Sequence, residues 1–66
     1  MKLYFKVGDT EKLVGSPRNQ EEMLQMIVAD MKTRFVAIKG RIQMPFTDGA
    51  RFYAAGPDGA WYTLKA

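Results

Sequence analysis

The chain has 66 residues, 47% of them hydrophobic, 12% aromatic and 26% charged, and ten Lys+Arg against seven Asp+Glu leave a net charge of +3. Such a length falls below the roughly 100–200 residues of a usual domain, which leaves room for one small core, and the composition is that of a globular chain rather than a disordered one. The absence of cysteine excludes a disulfide scaffold, a thiolate zinc site and a thiol nucleophile, while the mild basic bias favours anionic partners without requiring them.

The first predicted element is a strand. Leu3, Phe5 and Val7 alternate with Lys2, Tyr4 and Lys6, the period-2 pattern of a strand with one buried and one open side. Lysines interrupt its apolar character every few residues, so neither a signal-peptide core nor a membrane span is expected, and a reducing, cytoplasmic setting suits the cysteine-free chain. Gly8-Asp9-Thr10 has turn chemistry, after which Glu11-Lys12-Leu13-Val14 can return as a short second strand before Gly15-Ser16-Pro17 stops it.

A helix is expected to begin between Ser16 and Gln20 and to run to about Thr33. Its start signals overlap: Ser16-Pro17 suits a cap and a first-turn proline, whereas Asn19 and Glu22 have the spacing of a capping box. Met23, Met26, Ile27, Ala29 and Met31, continued by Phe35, approximate an apolar stripe, with Glu21, Glu22, Gln25, Asp30 and Lys32 over the remaining circumference. Acids at the start and Lys32 and Arg34 at the end complement the helix dipole, which already accounts for their presence.

From Arg34 the period changes to two, with Val36, Ile38, Ile42 and Met44 on one side and Phe35, Ala37, Lys39, Arg41 and Gln43 on the other, Gly40 marking a bend. This long strand ends at Pro45. Thr47-Asp48-Gly49 then turns into a last hairpin, Ala50 to Ala55 and Ala60 to Lys65, closed by Gly56-Pro57-Asp58-Gly59. The expected fold is α+β, a single two-layer domain over 1–66 in the approximate order ββαβββ, with one amphipathic helix on an antiparallel sheet. A core of this size rarely supplies more than about 3–5 kcal/mol, which keeps a homodimer open.

Catalytic constellations are not expected. Histidine is absent, which removes the Ser-His-Asp triad, a histidine general base and imidazole metal sites. Ser16 precedes a proline at a helix start, where capping explains it better than nucleophilic attack. Asp9, Asp48 and Asp58 stand beside turn glycines and have backbone donors to satisfy there. The Gly56-Pro57-Asp58-Gly59 turn lacks the Gly-Lys-Ser/Thr ending of a phosphate loop. The expectation is therefore a protein that is not an enzyme and uses no cofactor or metal.

Placing the apolar side of each alternation inward leaves an outer sheet face made of Lys2, Tyr4 and Lys6 from the first strand, and Lys39, Arg41 and Gln43 from the long one. The last hairpin adds Arg51, Tyr53, Trp61, Thr63 and Lys65, with Phe52, Tyr62 and Leu64 turned inward. No acidic residue is expected on this face. Bases stack on Tyr and Trp while Lys and Arg neutralise phosphates, so Tyr4, Lys6, Lys39, Arg41, Arg51, Tyr53 and Trp61 form the candidate binding site, with nucleic acid as the first candidate partner. Exposed strands also carry such residues for cross-strand pairing, and the same face would suit a larger protein with an acidic surface. The alternative is therefore a small inhibitor or adaptor, of the kind mobile elements encode, that occludes a site on a host protein. The methionines Met23, Met26, Met31 and Met44 read as packing residues. Phe46 is either a plug at the core edge or an exposed anchor.

Overall fold

The computed structural model describes residues 1–34, 37–38, 46–55 and 59–66. Within them the chain is α+β, with one helix packed on an antiparallel sheet. The alternation at the N-terminus forms β1 (Lys2–Val7), and the chain reverses through Gly8-Asp9 into β2 (Thr10–Gly15). Gly8 has φ 57°, the left-handed conformation that tight two-residue hairpin turns require and glycine adopts without a Cβ penalty. Leu3 lies opposite Gly15 and Tyr4 opposite Leu13, so β2 carries one irregularity beside the Leu3/Tyr4 step.

The helix α1 (Gln20–Arg34) is capped by Asn19 rather than by Ser16. The Glu22 amide donates to Asn19 Oδ1 at 2.9 Å and the Met23 amide to the Asn19 carbonyl at 3.1 Å. Three residues of chain separate the serine from the orphan amides of the first turn, while Pro17 between them is buried in the body of the protein. The box is only half reciprocal: the Glu22 carboxylate turns to the amide and Nε of Arg18, at 3.3 and 3.2 Å. At the other end the helix closes on Lys32 and Arg34, cations suited to its terminal carbonyls.

Of the long strand expected after the helix, only β3 (Ala37–Ile38) falls within the described residues; Arg34, expected at its start, is the last residue of the helix, and Lys39, Arg41, Gln43 and Met44 lie outside the described residues. Phe46 is half-buried and packs against the core, which decides for the plug. Thr47 accepts the amide of Ala50 across a turn in which Gly49 has φ 83°. The chain then enters β4 (Arg51–Ala55) and returns as β5 (Trp61–Lys65). The sheet order is β2-β1-β5-β4-β3, antiparallel at every junction. The first and last long strands thus lie side by side at its centre.

One sheet face is the core. Leu3 and Phe5 from β1, Phe52 from β4 and Tyr62 and Leu64 from β5 meet Met23 and Ile27 of the helix, all buried, with Ala50 and Ala60 filling the ends. Burying an apolar side chain of this size stabilises by about 1.5–3 kcal/mol. Met26 and Met31 pack at the edge of the cluster as expected, but two residues of the helix sit elsewhere than the sequence suggested. Ala29 is exposed. Asp30, expected on the solvent side, lies at the helix–sheet junction, where its Oδ2 accepts the Tyr62 hydroxyl at 2.7 Å and Arg34 Nε at 2.6 Å. An aspartate with two strong donors is more stable there than one left in a partly buried seam without them. β2 is an outer strand of the sheet, and its Lys12 pairs opposite the inward-facing Phe5 yet stays exposed. A charged side chain on the core side of an edge strand discourages a further strand from adding there.

Candidate functional site

The opposite face of the sheet is built in rows. Register places Glu11 beside Lys6, Lys6 beside Trp61, and Trp61 beside Tyr53. The next row runs Leu13, Tyr4, Thr63 and Arg51, and beyond it Lys2 faces Lys65. Of the seven residues expected to form the site, the structure brings Tyr4, Lys6, Arg51, Tyr53 and Trp61 together on this face, in two adjacent rows across β1, β5 and β4. Lys39 and Arg41 are outside the described residues.

Within the first row Lys6 Nζ stands 5.6 Å from the centroid of the Trp61 ring, and that ring lies 6.2 Å from Tyr53, tilted by 55°. A cation over an aromatic face and a tilted ring pair are both attractive arrangements. Trp61 is half-buried between these neighbours, while Tyr53 is 57% exposed. In the second row Thr63, the residue at the centre, is only 7% exposed. The centre of the face, Tyr4, Lys6, Trp61 and Thr63, is therefore a closed layer of side chains lying on the strands, and the residues around it, Tyr53 and Arg51 among them, are its open part.

One expectation about this face is overturned. It was expected to carry no acid, but Glu11 lies on it, because the hairpin register sets Glu11 opposite the outward-facing Lys6. Lys65 Nζ reaches both Glu11 carboxylate oxygens at 2.8 Å, and on the way passes 5.1 Å from the Tyr4 ring centroid. The pair draws one cation of the face towards the β2 side. For Lys2, Lys6 and Arg51 no carboxylate partner is found among the described residues. The face stays basic, with Lys2, Lys6, Arg51 and Lys65 against Glu11.

Leu13, 57% exposed beside Tyr4, is a second residue that sequence reasoning did not place there. The signal for both was the pair Gly8-Asp9: a two-residue loop locks Val7 opposite Thr10 and so carries Glu11 and Leu13 to the side of Lys6 and Tyr4. Glu22, Asp30 and Asp48 have structural partners away from this face. Asp48 Oδ1 accepts the amide of Ala66 at 2.7 Å, which ties the C-terminus to the turn. Among the described residues no group of three metal-ligating side chains gathers, and no helix is long and apolar enough to cross a membrane.

Comparison with protein-family models, with curated proteins and with solved structures finds no match to this chain.

Proposed function

We propose that the protein is a non-enzymatic binding module of the cytoplasm that engages single-stranded nucleic acid on the outer face of its sheet. The observation that carries this reading is the cross-strand row Lys6, Trp61, Tyr53 with Arg51 beside it: an exposed tyrosine ring flanked by cations that no carboxylate neutralises among the described residues. Stacking of a base on such a ring contributes about 1–3 kcal/mol, and each phosphate met by a free cation releases condensed counterions. Glu11 repels phosphate at the β2 side, so the strand is expected to run over β1, β5 and β4. The order ββαβββ belongs to the same reading, with the strand after α1 that includes Ala37–Ile38 lying at the edge beside β4.

The test is a titration of Trp61 fluorescence with single-stranded DNA and RNA oligonucleotides at about 50 and about 200 mM salt, repeated on a folded Arg51→Glu variant. Saturable quenching that weakens with salt and is lost in the variant supports the proposal. Absence of any response at the lower salt overturns it.

Leu13 favours the second reading, a compact inhibitor or adaptor on the surface of a larger protein. An exposed leucine next to Tyr4 adds apolar area that a phosphate backbone does not use and a protein partner does. Stoichiometric, salt-tolerant binding to one protein, lost in Leu13→Asp, would select it over the first.

A further inference from the structure

The helix has a second apolar side. Leu24, Gln25, Val28, Ala29 and Lys32 line a shallow hollow of about 510 Å³ on its surface. Val28 is 43% exposed, and Leu24 keeps only one flank on the core. At about 100° per residue this stripe lies roughly 160° around the helix from Met23 and Ile27, so it points away from the sheet.

We infer that this face pairs with the same face of a second copy of the chain, the two helices running antiparallel about a two-fold axis. The arrangement of the residues is what selects this occupant. A two-fold axis passing midway between Gln25 and Val28 sets Leu24 of each copy against Ala29 of the other, a large side chain meeting a small one, and Gln25 against Val28. The same axis brings Glu21 of each copy to Lys32 of the other. Both are exposed, and neither has an ion-pair partner within its own chain among the described residues. A parallel pairing in register would instead set Glu21 on Glu21 and Lys32 on Lys32. The antiparallel dimer buries the exposed apolar stripe of the helix and leaves both sheet faces open on its two outer sides, so it is independent of what those faces bind.

A single helix pair buries less area than a standard interface and gives a weak, reversible dimer, so sedimentation equilibrium over about 10 μM to about 1 mM is the measurement. The full chain is expected to move from monomer to dimer mass across this range. Val28→Lys, at an exposed position where the fold is checked by circular dichroism, is expected to remain monomeric throughout. Glu21→Lys and Lys32→Glu should each weaken the dimer about tenfold, since one makes both positions cationic and the other makes both anionic. An equimolar mixture of these two variants should associate at least as well as the parent chain. Monomer mass at the highest concentration, or a dimer that Val28→Lys leaves intact, would overturn the proposal. Failure of the two charge variants to associate on mixing would overturn the antiparallel pairing.

Discussion

Tyr62 donates its hydroxyl proton to the Asp30 carboxylate oxygen that also accepts Arg34 Nε, so a single atom of the helix fastens the middle of β5 and the last helical turn together. Arg34 continues from this point across the Phe5 ring, its guanidinium carbon 4.3 Å from the centroid, and Phe5 packs against Tyr62 with ring centres 5.1 Å apart. Neighbouring strands at the centre of the sheet and the end of the helix thus close one contact loop.

This arrangement gives stability a definite dependence on pH. Burial, then the hydrogen bond to Asp30 and its negative charge, raise the Tyr62 hydroxyl well above its ordinary value of 10.0, with Arg34 opposing. The folded state therefore keeps a proton that the unfolded chain gives up, and stability present below pH 10 falls as pH rises beyond it. Tyr62→Phe should cost about 1–2 kcal/mol at neutral pH by removing a buried donor. The gap between parent and variant should narrow steadily from about pH 10 upward in urea denaturation; a constant gap would mean that the phenol does not titrate differently in the two states.

Asn19 is expected to carry the helix N-terminus. Asn19→Ala should lower stability by about 1 kcal/mol and Asn19→Ser by much less, because serine also accepts the orphan amide. Ser16→Ala should leave the denaturation midpoint almost unchanged. Equal losses from Ser16→Ala and Asn19→Ala would place the cap elsewhere.

Gly8 is needed for its backbone conformation rather than for space, since a Cβ there would meet nothing within 4 Å at φ +57°. Gly8→Ala should cost about 1–2 kcal/mol and Gly8→Asn distinctly less, as asparagine visits the left-handed region more readily. Thermal melts of the three chains check the order.

Glu11 restrains the proposed nucleic-acid face by holding Lys65. Glu11→Gln should tighten binding of a single-stranded oligonucleotide several-fold at low salt and steepen the salt dependence by about 0.7 in logarithmic slope, one further phosphate contact on a single strand. Fluorescence titrations at three salt concentrations decide it, and an unchanged slope would mean that Lys65 takes no part.

Sequence by itself determined which side of β1, β4 and β5 is buried. Leu3 and Phe5, Phe52, and Tyr62 and Leu64 all point into the core as their alternation requires, because a period of two leaves each strand only two choices and burial of the apolar one wins. It also determined the turn at Gly8-Asp9 and the position of the helix, whose signals are local. Tertiary structure decided which strands are neighbours. β1 lies between β2 and β5, and only that order puts Tyr4 beside Thr63, Lys6 beside Trp61 and Lys65 within reach of Glu11. Asp30 likewise looks like a solvent residue on a helical wheel until Tyr62, distant in sequence, arrives beneath it. Side-chain direction follows from the backbone period of the residue's own strand or helix, whereas the charge or ring it meets there is chosen by packing between segments far apart in the chain.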